Sequence, residues 1–347
     1  MRKDTPYLIA EIGVNYYDEA KKHNITPLEA AKKYILEVAK AGISCAKFQT
    51  YKASTIVSKN SPAYWDTKKE PTKTQYELFQ KYDLFGENEY RELSNFAHSC
   101  GVDFTSTPFD YNSVDYLYDI VDFYKISSSD LSNLPFVEYI GNKGKPVVLS
   151  VGASYLSEVD EAVRTLHKTK CEEITLLHCV LSYPTNPLDA NLAIIKTLKN
   201  TFKDVRIGYS DHVAPDDTMM TLATAYLLGA DVIEKHFTLD KTMTGNDHYH
   251  AGDPNDFRKA INNFKWIQAI LGKSEKTVLD CEVIPRREAR RSLVLTRDMK
   301  KDEIITKEDI MPKRPGTGIS PQYANLVVGR RIKEDLKEDT ILTWDKI

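Results

Sequence analysis

The run DVIEKHF (231–237) sets a carboxylate, an ammonium and an imidazole inside a stretch that begins and ends apolar. Strand alternation sends Glu234 and His236 to one side and Lys235 to the other. A second imidazole, His212, follows the preceding apolar run VRIGYSD (205–211). Two neutral imidazoles at neighbouring strand ends make a donor set for a divalent cation, and Mn, Co, Zn and Mg all suit it. Asp211, Glu234 and Glu11 are candidates to assist. Lys47 and Lys125 stand in two further runs, CAKFQT (45–50) and DFYKISS (122–128). A lysine is costly to bury without an anion. Two of them facing one opening, with the hydroxyls of Ser128 and Ser150, describe a pocket for a phosphate and a carboxylate. The rival chemistry is a Schiff base on one lysine; a pair of lysines beside a cation site favours anion binding.

These groups need a scaffold that brings strand ends together. Short apolar runs bounded by polar turns occur at 7–14, 45–50, 103–109, 122–128, 146–151, 173–180, 205–211 and 231–237, with helix-patterned segments between most of them. The first helix is clearly marked. Thr26-Pro27-Leu28-Glu29 is a capping box with proline at the first helical position; Leu28, Ala31, Ile35 and Val38 share a face, and Gly42 stands where the chain must leave the helix. Strands and helices in this alternation predict an α/β fold, a (β/α)8 TIM barrel, with a doubly wound sheet as the competitor. In a barrel the chemistry sits at the C-terminal strand ends, which here supply Glu11, Asn15, Lys47, Gln49, Thr105, Ser106, Lys125, Ser128, Ser150, Tyr183, Asp211, His212, Glu234 and His236. The long connection from Tyr51 to Arg91 follows a strand and is expected over that face. After Gly272 the periodicity changes. Residues 1–280 are read as the barrel, 281–289 as a linker, and 290–347 as a small separate domain, with the basic RREARR turn (286–291) across their junction.

Composition narrows the partners. A net charge of −3 without a long basic block argues against nucleic acid. The 5 cysteines form no CxxC pair and suit a reduced, cytoplasmic chain better than a disulfide framework. No apolar stretch approaches the ~20 residues of a membrane span.

Taken together, IAEIGVN (9–15), KFQT (47–50), STPFD (106–110), YKISSSD (124–130), VVLSVG (147–152), SYPT (182–185), GYSDH (208–212), VIEKHFTLDK (232–241) and GNDH (245–248) resemble the successive strand-end motifs of the sialic acid (N-acetylneuraminate) synthase family, which includes legionaminic and pseudaminic acid synthases. The segment RRSLVLTRDMKKDEIITKEDI with KRPGTGISP resembles that family's C-terminal antifreeze-like (SAF) domain. The resemblance implies condensation of phosphoenolpyruvate with an N-acylmannosamine-type aldose and water, giving a nine-carbon 2-keto-3-deoxy acid and phosphate. It implies that Lys47, Lys125, Ser128 and Ser150 hold phosphoenolpyruvate. His212 and His236 would bind a metal, commonly Mn2+, with Mg2+ or Co2+ as alternatives. Glu11 and Glu234, with His236, would serve catalysis, and Gln49, Tyr183 and Asp247 would face the sugar. Arg314 would reach the partner subunit's site in a domain-swapped homodimer. Three departures from the family pattern cluster where the sugar should lie: Tyr16 follows Asn15, Ser127-Ser128-Ser129-Asp130 replaces Gly-Ser-Gly-Glu, and the usual GPDHKAS becomes Gly245-Asn246-Asp247-His248-Tyr249-His250-Ala251. With Leu181 at a position often polar, they leave the acceptor open among N-acetylmannosamine and modified analogues. A phosphoenolpyruvate-dependent synthase of deoxy-octulosonate or deoxy-heptulosonate phosphates is the enzymatic rival. A non-catalytic sugar- or ice-binding protein is the rival of another class.

Overall fold

Eight parallel strands form one sheet in the order β3-β2-β1-β8-β7-β6-β5-β4. They are β1 (Tyr7–Gly13), β2 (Cys45–Thr50), β3 (Asp103–Pro108), β4 (Tyr124–Ile126), β5 (Val147–Ser150), β6 (Ile174–His178), β7 (Arg206–Asp211) and β8 (Val232–His236). The seam between the end strands is bridged: the Asp122 N–H donates to the Phe104 carbonyl (2.9 Å) and the Thr105 hydroxyl to the Phe123 carbonyl (2.6 Å). The chain is thus a (β/α)8 barrel, described here by a computed structural model for residues 5–63, 65, 67, 70–245 and 247–347. Asn246 of the altered loop run lies outside the described residues, as do Tyr64, Asp66, Lys68 and Lys69 of the long connection.

Alternation along the strands separates two cores. Leu8, Ala10, Ile12, Phe48, Phe104, Ile126, Leu149, Leu176, Tyr209, Ile233 and Phe237 pack outward against the helices. Ile9, Cys45, Phe123, Val148, Leu177 and Val232 take the other parity and plug the interior. One step further along the inward rows stand Glu11, Lys47, Lys125, Ser150 and Glu234, all buried. An all-parallel barrel is covered on both faces, so these polar groups border a cavity rather than bulk solvent.

The helix Pro27–Ala41 is capped as its sequence indicates. Thr26 accepts the Glu29 N–H, Glu29 reaches back to Thr26, and Gly42 leaves the helix at φ 77°. The connection after β2 carries short helices at Ala53–Ile56 and Gln75–Gln80, the second with its own Thr74–Glu77 capping box. No described helix is long and apolar enough to cross a membrane.

The chain divides into two compact units after Gly272, short of the boundary expected at 280. Residues 273–289 belong to the second unit because they are tied to it: the Gly316 N–H donates to the Arg287 carbonyl (2.7 Å). This unit pairs β9 (Ser292–Leu295) with β10 (Ile310–Lys313) antiparallel and closes a small core of Leu293, Leu295, Met299, Ile305, Val327 and Leu342. Arg286, Arg287, Arg290 and Arg291 of RREARR are exposed.

Candidate active site

Register decides which side chains meet at the barrel's C-terminal end. Glu11 stands beside Lys47 on β2 and His236 on β8, and Ser210 beside Glu234. A bulge shifts β1 between Glu11 and Gly13. Gly13 takes φ +56°, and a Cβ there would meet Gln49 Nε2 at 3.1 Å and Glu11 Oε1 at 3.3 Å. The glycine therefore permits both the left-handed turn and the contact of Gln49 with Glu11 (2.7 Å).

Of the barrel residues named from sequence as site candidates, all but Asp211, Thr105 and Ser106 line one cavity of about 570 Å³. Lys47 is ion-paired with Glu11 and lies 3.8 Å from Glu234. Lys125 donates to Ser150 Oγ (2.7 Å) and the Ile126 carbonyl (3.1 Å), and lies 3.9 Å from Glu234. Ser210 donates to Glu234 Oε1 (2.9 Å), while Glu234 Oε2 has no hydrogen-bond partner among the described residues. The Gly152 N–H donates to Ser128 Oγ (2.9 Å), which also touches Cys179 Sγ (3.1 Å).

Burial shapes the charges of this quartet. Desolvation, reinforced by Glu234, lifts the Glu11 carboxyl to about 7 despite Lys47 beside it. Burial would also raise Glu234, but Lys125 and Lys47 hold it below the usual carboxylate range. Burial pulls the Lys125 ammonium down; for Lys47 the attraction of Glu11 and Glu234 outweighs burial and raises it. One carboxyl is thus poised to carry a proton near neutrality while its neighbour stays ionised.

The imidazoles form a second group. His212 and His236 have ring centroids 5.5 Å apart, and Tyr183 packs against both at 4.2 and 5.9 Å. His212 Nδ1–H donates to the Val180 carbonyl (2.6 Å), which leaves Nε2 with its lone pair. His236 Nδ1 is buried with no hydrogen-bond partner among the described residues. Burial lowers His212 to about 4 and His236 well below the ordinary range, the latter helped by neighbouring imidazoles. Neutral, oriented and desolvated rings of this kind fit a divalent cation. Asp247, raised to about 6 by burial, lies 3.6 Å from His236.

Some expectations are corrected. Asp211 does not join the imidazole pair. Its Oδ2 accepts Lys235 (2.6 Å), its Oδ1 accepts the Tyr209 hydroxyl (2.9 Å) and the Val213 N–H (3.0 Å), and strand parity turns it to the helix side. Thr105 and Ser106 are likewise engaged inside the wall, with the Phe123 carbonyl and Thr50. Arg314 is exposed in the second unit, with no ion pair among the described residues. The long connection does supply cavity wall through Ile56, Leu78, Phe79 and Tyr82. Sequence reading missed Thr107, Ser210 and Cys179, which line the cavity. Inward parity from Thr105 and His212 would have found the first two. It also missed His250, which no strand periodicity reaches.

Comparison with known proteins agrees with this geometry. Residues 34–276 match the NeuB family and residues 290–347 the SAF domain. An uncharacterised protein of Methanocaldococcus jannaschii is 40% identical over 98% of this chain and 94% of its own length. The N,N'-diacetyllegionaminic acid synthase of Legionella pneumophila is 36% identical over 99% of this chain and 95% of its own. The crystal structure of N-acetylneuraminic acid (sialic acid) synthetase from Leptospira borgpetersenii, in complex with citrate, superposes with a TM-score of 0.68 at 32% identity, covering 81% of this chain and 90% of that one. A barrel whose mouth carries two lysines, two carboxylates and adjoining imidazoles, followed by a SAF domain, belongs to the NeuB family.

Proposed function

We propose that this protein is a nonulosonic acid synthase that condenses phosphoenolpyruvate with an N-acylated aldose and water. The observation that carries the reading is the convergence of Lys47, Lys125 and Ser150 beside Glu11 and Glu234, with His212 and His236 on the same mouth. Lys47 and Lys125 offer charge-assisted donors to the phosphate and carboxylate of phosphoenolpyruvate, with Ser128 and Ser150 as hydroxyl partners. Carbon 3 of phosphoenolpyruvate attacks the aldehyde carbon, the aldehyde oxygen takes a proton, and positive character develops at carbon 2. Water adds at carbon 2 and gives up a proton; cleavage of the bond from carbon 2 to the bridging oxygen releases phosphate and leaves the ketone. Glu234, held ionised by the lysines, stabilises the developing positive centre. Glu11, whose carboxyl titrates at about 7, exchanges the proton. A divalent cation, Mn2+ first and Mg2+ or Co2+ as alternatives, bound through His212 and His236 would supply Lewis-acid polarisation of the aldehyde. Gln49, Tyr183 and Asp247 face the acceptor, and Arg314 of a second copy completes the site in a swapped homodimer.

The acceptor favoured is a di-N-acetylated aldose. Val14, Ile56, Leu78, Phe79 and Leu181 add apolar wall to the cavity, which suits methyl-bearing substituents better than a bare hydroxylated chain, and the Legionella relative is named for a diacetylated product.

The test incubates purified protein with phosphoenolpyruvate, Mn2+ and a panel of N-acetylmannosamine, its 6-phosphate and di-N-acetylated aldoses. Phosphate release and product mass are read. Phosphate release is expected to be fastest with the di-N-acetylated aldose. No release with any member overturns the reading, and preference for the 6-phosphate replaces the di-N-acetylated acceptor with a phosphorylated N-acylmannosamine.

A further inference from the structure

The barrel mouth holds one imidazole more than a two-histidine site requires. His250 stands in the loop after β8 and is wholly buried. Its ring centroid lies 4.7 Å from that of His236. Its Nε2 lies 4.0 Å from Asp247 Oδ1, while Asp247 Oδ2 lies 3.6 Å from His236 Nδ1. One ligating atom from each of His236, Asp247 and His250 falls within 4.8 Å of the other two. Donors bound about 2.1 Å from one ion stand at most about 4.2 Å apart. Three donors in tetrahedral geometry stand about 3.4 Å apart, so side-chain shifts of about an ångström bring all three onto a common cation.

Two features separate this cluster from an ordinary patch of surface acid. Two of its three members are buried and the third is half-buried, so the donors have little water to compete with the ion. His250 also replaces the alanine of the GPDHKAS pattern, so it is a property of this chain rather than of the motif it sits in. We propose that His250 and Asp247 join His236 as protein ligands of the cation. The donor set would then be richer in nitrogen and charge than the pair of imidazoles at the strand ends. Such a set takes a borderline divalent ion such as Co2+ or Zn2+ in strong preference to Mg2+, because imidazole donors favour the former. The inference rests on the cation reading given above, but it makes a claim about binding that does not involve turnover.

The test uses full-length, chelator-treated protein without substrates. Co2+ and Mg2+ are titrated by calorimetry, and pulsed EPR on bound Mn2+ counts coordinated imidazole nitrogens. His250→Asn and Asp247→Asn are each expected to weaken Co2+ binding at least about tenfold, with one imidazole lost from the count in His250→Asn alone. A folded His250→Asn protein with wild-type Co2+ affinity and an unchanged count overturns the proposal. His212→Asn decides independently of how His250→Asn folds: two remaining imidazoles on the ion support the cluster, and one overturns it. Failure of the catalytic reading looks different, since it leaves tight Co2+ binding in a protein that releases no phosphate from phosphoenolpyruvate with any aldose.

Discussion

Glu234 and Lys235 are neighbours on β8, both buried, both facing an opposite charge, and they live in opposite worlds. On the outer side, Lys235 donates to Asp211 at 2.6 Å and to the Val213 carbonyl at 2.7 Å, and Asp211 accepts two further donors. That pair is saturated and sealed beneath the helices, with Lys235 at 0% exposure. On the inner side, Glu234 meets Lys47 and Lys125 only at 3.8 and 3.9 Å and keeps an oxygen without a hydrogen bond among the described residues. The inner charges border a cavity and are incompletely paired. A buried pair with every partner in place is structure; a buried set left short of partners has bonding capacity for something that comes and goes.

The sharpest way to break that contrast is to remove one charge from each side and measure both activity and stability. Lys125→Met and Lys47→Met should each lower phosphate release by about 10²–10³-fold, since a charge-assisted donor to the substrate is lost. Each should cost little stability: in Lys47→Met, Glu11, which already titrates at about 7, can be relieved by a proton, and in Lys125→Met, Glu234 keeps Lys47 and Ser210. Loss of stability without loss of turnover would erase the distinction.

Next in size is the outer pair. Asp211→Ala leaves Lys235 buried and uncompensated and should destabilise the barrel by about 3–5 kcal/mol in denaturant unfolding. A double replacement of Asp211 and Lys235 by apolar residues of similar volume should recover most of that loss. If Asp211→Ala is neutral, the pair is not sealed as described.

The smallest effect is a slope. Burial depresses His212 to about 4, so its contribution to stability is complete above the unfolded imidazole value of ~6.5 and is lost as pH falls from there toward 4. Burial raises Glu11 to about 7, so its contribution has the opposite sign: complete below the ordinary carboxyl value and lost as pH rises toward 7. In metal-free protein, His212→Asn should therefore flatten the rise of stability between pH 5 and 6.5, and Glu11→Gln should steepen it, each by on the order of 1–2 kcal/mol. Denaturant curves at pH 5, 6 and 7 check both; identical slopes in the two variants would contradict the assigned environments.

Much of this architecture is legible in the sequence. Apolar runs with polar ends marked the strands to within a residue or two, and Thr26, Pro27, Glu29 and Gly42 marked a helix at both ends. The inward set of Glu11, Lys47, Lys125, Glu234 and His236 was visible because parity along a strand is a local property. Asp211 was misjudged for a reason that parity also supplies: it is one residue from His212 and therefore faces the helices. His250 was invisible as a partner of His236, since it comes from a loop whose path is set by what the loop packs against. The change after Gly272 was legible, but the placing of residues 273–289 with the second unit was not, because the Arg287 carbonyl meets Gly316 across a wide gap in sequence.

The amino-acid order alone determined the strand and helix periods, the caps, the side of each strand on which a charged residue falls, and the family. Tertiary structure decided the rest: that Lys47 and Lys125 share one carboxylate, that His212 spends its Nδ1 on a carbonyl, and that Asp247 and His250 close on His236. Periodicity is written in neighbouring residues, whereas these meetings join segments that touch only once the sheet has closed into a ring and its loops have packed over one end.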